Sequence, residues 1–299
     1  MARSTPESKG LGKEVVARLG AINTRATRTS STRFNRDLVL GATLLALLLG
    51  LVASAGILAP VSPTHVDPFN ALLGPSPGHW LGTDDLGRDL FSRVLYGGRT
   101  ALWAGVVATG LACLVGVPIG LLAGYYPGIV GEVLMRLMDM LLAFPAILLA
   151  ITLAAALGPG TTQAMIAIGV AGIPSFARLA RAQTLAVKPL DFIEAARGLG
   201  ASPWHILRRH VLPNIGGPIV VQLTSTFAAA VLSEAALSYL GLGTQPPTPS
   251  WGLMLQEAKN YALISPWGAI FPGLAIAWAV LGANLVGDGL RQYLHKESR

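Results

Sequence analysis

The stretch Thr100-Ala-Leu-Trp-Ala-Gly-Val-Val-Ala-Thr-Gly-Leu-Ala-Cys-Leu-Val-Gly-Val-Pro-Ile-Gly-Leu-Leu-Ala-Gly124 carries no charged residue. At about 1.5 Å per residue it makes a helix of about 37 Å, enough to cross a hydrocarbon core roughly 30 Å thick. It reads as a membrane-spanning helix. Five further regions share its character: Leu38 to Ala59, about Val133 to Leu157, about Thr162 to Ala182, about Gly217 to Leu240 and about Pro266 to Gly287. Composition agrees, because 52% of the 299 residues are hydrophobic and only 12% charged, with a mean hydropathy of +0.57. A water-soluble domain carries about 25% charged residues. The 35 glycines and 20 prolines lie largely within uncharged runs, where membrane helices accept both. The expectation is one all-α, polytopic membrane domain with six transmembrane helices. The single cysteine, Cys113, leaves no disulfide framework.

Basic residues set the orientation, since cytoplasmic segments are enriched in Lys and Arg. Eight precede the first span, from Arg3 to Arg36, and six lie around the fourth-to-fifth connection: Arg178, Arg181, Lys188, Arg197, Arg208 and Arg209. The segment Pro60 to Gly98 has only Arg88 and Arg93, and Gly241 to Ser265 only Lys259. Both termini and the Lys188 region are therefore expected in the cytoplasm, and the net charge of +7 is a topology signal rather than a sign of nucleic-acid binding. The resulting plan is a basic tail (1–37), a membrane domain (38–287) and a short second tail (288–299). The domain has external loops at 60–98 and 241–265 and a cytoplasmic loop at 186–216. Ala53-Ser54-Ala55 after an apolar run invites a signal-peptide reading. The 37-residue leader is long for one, the run continues through Leu58, and cleavage would leave an odd number of spans. An organelle transit segment over Asn23 to Arg36 fits poorly with the span that follows at once. Within the tail, Leu11, Val15, Val16, Leu19 and Ile22 have the spacing of a short helix on the membrane surface.

Few ionisable residues enter the spans. Arg136 and Asp139 are three apart on one helical face and can pair. Glu234 either lines a translocation path or makes a structural hydrogen bond near the outer interface; Asp139 is the other candidate for that path. Pro118, Pro145, Pro174 and Pro272 are expected to kink their spans.

The loop from Lys188 to Pro213 is too polar to span and too punctuated for random coil. It reads as two short helices. Asp191 caps the first, Glu194 reaches back in a capping box, and Gly200 supplies a left-handed residue at its end. Ser202 caps the second with Pro203 at its first position. There Trp204, Leu207 and Val211 share one face, His205, Arg208 and Arg209 point elsewhere, and Pro213 stops the helix. On this pattern alone, the knob is either a connector lying on headgroups or a docking element.

Glu194-Ala195-Ala196, then Gly200, then Leu212-Pro213 resembles the EAA motif of permease subunits in bacterial and archaeal ABC importers. The general motif has an isoleucine where this chain has His210, but Arg208-Arg209-His210-Val211-Leu212-Pro213-Asn214 is similar to the peptide and nickel branch. Further matches resemble the second permease of dipeptide and oligopeptide importers. They are Gly82-Thr83-Asp84-Asp85-Leu86-Gly87-Arg88-Asp89 with Gly97-Gly98-Arg99-Thr100, Met138-Asp139 with Ala143-Phe144-Pro145, Leu240-Gly241-Leu242-Gly243 with Pro246 to Gly252, and Asn284 with Gly287-Asp288-Gly289-Leu290. The resemblance implies the type I ABC importer permease architecture in a bacterial or archaeal cytoplasmic membrane. It implies a pore shared with a second homologous permease, around which the first span wraps. It also implies two ATPase subunits carrying ATP and Mg, and an extracytoplasmic substrate-binding protein. Asp191, Glu194, Ala195, Ala196, Gly200, Trp204, Arg208 and Pro213 then form the ATPase-coupling knob. Asp84, Asp85, Arg88, Gln245 and Trp251, on the outer loops, are the candidate contacts of the binding protein. Leu86, Leu90, Phe91, Val94 and Leu95 form an apolar stripe behind Asp84 and Asp85, expected as an amphipathic helix on the outer surface, either a brace or a contact.

None of the lysines stands in G-x-x-x-x-G-K-[ST], so ATP binding through a P-loop is absent from this chain. Neither H-E-x-x-H nor G-x-S-x-G occurs. No cofactor, metal or catalytic residue is expected here, His65 and His79 in the external loop being a weak metal pair. Peptides are the expected cargo, with nickel or another small solute as the alternative. An ATP-independent secondary carrier would show internal repeats and intramembrane charges. A membrane scaffold is the third class.

Overall fold

The computed structural model describes residues 36–297, with side chains through 294. The Leu11-to-Ile22 pattern lies outside them. Among the described residues the chain is helical, and its only bridge pairs Thr83 with Asp89. α1 (Arg36–Ala53) and the single turn α2 (Ala55–Leu58) lead into the long loop at 59–89. α3 (Leu90–Tyr125), α6 (Thr161–Val187), α10 (Gly216–Tyr239) and α12 (Trp267–Glu297) are continuous and apolar enough to span.

The third span departs from expectation. It is two helices, α4 (Ile129–Leu142) and α5 (Ala146–Leu157), meeting at 86°. Pro145 explains the break: it has no N–H to bond the preceding turn, and it sits in extended conformation at φ −52°, ψ 130°. Among the described residues five helices are thus long and apolar enough to cross singly, and the bent pair taken as one span brings the number to six. Pro118, Pro174 and Pro272 lie inside helices that stay continuous. The stripe at Leu90 to Leu95 belongs to the first turns of α3 rather than to a separate surface helix, because Asp89 caps α3 by accepting from the Ser92 N–H at 2.8 Å.

α3 and α6 form the centre of the bundle. Gly116, Gly120 and Gly124 put one bare ridge of α3 against α6, where a β carbon would lie 2.7 Å from Phe176 Cβ, 2.7 Å from Ala180 Cβ and 2.6 Å from Thr184 Cβ. Small residues at this spacing let membrane helices approach backbone to backbone. α1 rests on α12, with Trp278 Nε1 donating to Leu44 O at 2.9 Å. Two short elements complete the ends: α11 (Trp251–Ala258) beside the 59–89 loop, and the knob at 191–214 between α6 and α10.

Candidate functional site

The knob comprises α7 (Asp191–Gly198), α8 (Pro203–Ile206), a π-helical segment Leu207–Val211 and α9 (Leu212–Asn214). Its buried residues Ile193, Ile206, Leu207, Val211 and Ile215 pack with Val117, Leu121 and Tyr125 of α3 and Phe176 and Ala180 of α6. The knob is therefore seated on the ends of the two central helices. Lys188 tightens that seat by donating to the Tyr125 carbonyl at 2.8 Å, at the C-terminus of α3, where a cation is favoured.

Gly200 is left-handed at φ +82°, and Ser202 Oγ accepts from the His205 N–H at 3.3 Å, both as the sequence implies. The capping box does not form. Leu190 occupies the N-cap and makes no side-chain cap, so Asp191 and Glu194 sit inside the first turns of α7 and stabilise it through its dipole. Trp204 also departs: it is 68% exposed while Ile206, Leu207 and Val211 are buried. The outward surface of the knob carries Leu190, Phe192, Leu199 and Trp204 exposed together with Asp191, Glu194, Ala195, Gly200, Arg208 and Pro213; Ala196 is half-buried.

At the opposite end the Gly82-to-Asp89 motif folds into a clamp. Gly87 is left-handed at φ +72°, and a β carbon there would collide with the Asp67 carbonyl. Asp84 Oδ1 accepts from the N–H groups of Leu86 and Arg88 at 3.0 and 2.9 Å, and its Oδ2 from Arg88 Nε at 2.6 Å. Arg88 and Arg93 converge on Glu257 of α11 at 3.0 and 2.7 Å. Burial opposes the charge on Arg88, but Asp84 and Glu257 outweigh it and hold the guanidinium pKa above its ordinary value. Asp85 lies 3.8 Å from Arg88, and His79 Nδ1 bonds Asp89 Oδ1 at 3.0 Å. Asp84 and Arg88 are thus buried and committed to internal pairs. Trp251 is 1% exposed and donates to the Val94 carbonyl at 2.9 Å. Of the five outer-loop candidates, only Gln245 is exposed and Asp85 half-exposed.

Glu234 is fully buried under the 241–250 loop, accepting from Ser238 Oγ at 2.7 Å and Thr244 Oγ1 at 3.2 Å. It is not among the residues lining the cavities between α3, α5, α6 and α10 or beside Arg178. Asp139 pairs with Arg178 of α6 at 2.7 Å, not with Arg136 on its own helix. The polar surface at mid-bundle comes from residues that sequence reasoning missed. A cavity of about 210 Å³ between α3, α5, α6 and α10 is lined by Ser175, Gln222, Ser225, Thr226 and Ser233 beside alanines and Gly172. Its α10 members repeat at helical spacing, a pattern readable in the sequence but averaged away by hydropathy. Among the described residues no three His, Cys, Asp or Glu side chains are placed to hold a metal ion.

Residues 116–299 match the family described as "binding-protein-dependent transport system inner membrane component". The chain belongs to this family. The permease is 44% identical over 289 residues to the glutathione transport system permease protein GsiD of Pectobacterium atrosepticum, covering 94% of this chain and 96% of the relative. It is 42% identical to the dipeptide transport system permease protein DppC of Alkalihalophilus pseudofirmus, over 87% and 86% of the two chains. It is 41% identical to the probable D,D-dipeptide transport system permease protein DdpC of Escherichia coli K12, over 86% of each. Its fold matches a chain of the inward-facing MetNI methionine ABC transporter at TM-score 0.55 and 20% identity, covering 69% of the permease and 96% of that chain. The permease is a multi-pass membrane subunit of the ABC importer class.

Proposed function

We infer that the permease forms half of a pore for peptides, shared with a second homologous permease, in a complex with two ATPase subunits that bind ATP and Mg. An extracytoplasmic binding protein delivers the cargo at the end carrying the clamp. The knob end and both termini face the cytoplasm of a bacterial cell. The observation that carries this reading is the knob itself: a folded element seated on α3 and α6 that leaves Leu199 at 90% and Trp204 at 68% exposure. Exposed anchors on a rigid base suit a groove in a partner. Relatives named for glutathione and dipeptide transport support peptides as cargo. The uncharged, hydroxyl-lined cavity supports passage of polar solutes with varied side chains.

The test is ATPase activity of the reconstituted complex. Peptide-loaded binding protein stimulates hydrolysis with the native permease. Trp204→Ala weakens ATPase binding about 30-fold, as expected for a hot-spot aromatic, and Gly200→Val loses stimulation while the chain still inserts. Full stimulation in both variants would sink the coupling role.

A further inference from the structure

One face of α6 serves two cavities. Ala171, Gly172 and Ser175 line the mid-bundle cavity, and Arg178 and Arg181, following at helical spacing, line a second of about 240 Å³ with Asp139 of α4. Arg178 and Asp139 stay 55% and 57% exposed although they are paired, while Arg181 Nε is buried and makes no hydrogen bond. Arg178 lies about 14 Å inside the knob end of α6. The pair is exposed at the wall of this second cavity, which follows the mid-bundle cavity along α6.

We propose that Arg178, Arg181 and Asp139 form a carboxylate-binding station on the knob side of the passage, which a peptide engages by exchanging with the Arg178–Asp139 pair. This rests on the passage reading of the preceding subsection. Two guanidiniums against one carboxylate leave an excess positive charge. The peptide carboxylate takes Arg178 and the Arg181 guanidinium at the cavity wall, and the peptide ammonium takes Asp139. Asp139 is paired in both states, with Arg178 before the peptide arrives and with its ammonium afterwards, so entry and release exchange one ion pair for another. The requirement falls on the carboxylate, because the excess charge is positive.

The test uses the full complex in proteoliposomes with dialanine loaded on the binding protein, reading uptake per ATP hydrolysed. Arg181→Gln and Arg178→Gln lower that ratio about tenfold, the loss of one charge-assisted hydrogen bond, with stimulated hydrolysis unchanged. Arg181→Lys and Arg178→Lys keep most of it. Equal loss of uptake and hydrolysis, with Lys restoring neither, would assign the arginines to packing or lipid headgroups and overturn the station. An unchanged ratio would overturn it as well. The passage is checked separately with Ser225→Cys in a Cys113→Ala background. Failure of an impermeant thiol reagent to label it removes the passage, whereas labelling with an unchanged ratio in the arginine variants removes the station alone.

Discussion

Arg93 is the most deeply placed cation of the clamp, 1% exposed, with its one close hydrogen bond running to Glu257. Its Nε is 3.4 Å from Asp84 Oδ2, near enough for attraction but without hydrogen-bond geometry. Removing one side of a buried pair strands the other, at a cost of about 3–5 kcal/mol. Glu257→Gln should therefore lower the thermal stability of the purified complex strongly, and Arg93→Met combined with Glu257→Met should recover much of the loss. Melting curves of the two variants check this. Gly87→Ala should destabilise by more than the roughly 1–2 kcal/mol of a left-handed residue, since Asp67 blocks the added carbon. None of this network was legible in one sequence: the motif residues from Gly82 to Asp89 stood out, but Glu257 lies 164 positions from Arg93. A charge pattern does not say whether its partner is internal or on another protein.

Among the elements, the tight seam between α3 and α6 depends on glycine at every fourth position. Gly120→Val should cost about 1–3 kcal/mol through overpacking and reduce assembly with the ATPase, measurable as lost co-purification. The same change at Gly110, where a β carbon meets nothing within 4 Å, should be tolerated. Hydropathy found the five helices long enough to span, and the region that holds the bent pair, because lipid contact is a property of composition. It placed their ends poorly. α3 begins ten residues before its uncharged run, held by the Asp89 cap, and the third region breaks where Pro145 interrupts an otherwise even apolar stretch. Helix ends are set by caps and proline, which an average over twenty residues does not see.

Across the whole molecule, α3 links both working ends. Its 36 residues make a rod of about 54 Å, capped by Asp89 at the clamp and held by Lys188 at the knob. Lys188→Met should leave insertion intact and weaken the coupling of hydrolysis to uptake severalfold, read as ATP consumed per peptide moved. A drop in both at once would instead mean that the knob has unfolded. The knob was legible from its motif, its turn glycine and its serine cap; its seat on α3 and α6 was not, because the cluster holding Ile193 and Ile206 also takes in Val117, Leu121 and Tyr125, far away in the sequence.

The clamp also bears on engineering. Exchanging outer loops between permeases is an obvious way to redirect one importer to another's binding protein, and residues 60–98 look like a cassette for it. They are not separable: Asp89 starts α3, Arg88 and Arg93 hold α11 through Glu257, and Trp251 returns to Val94. A working chimaera has to carry 67–94 and 251–258 from the same donor.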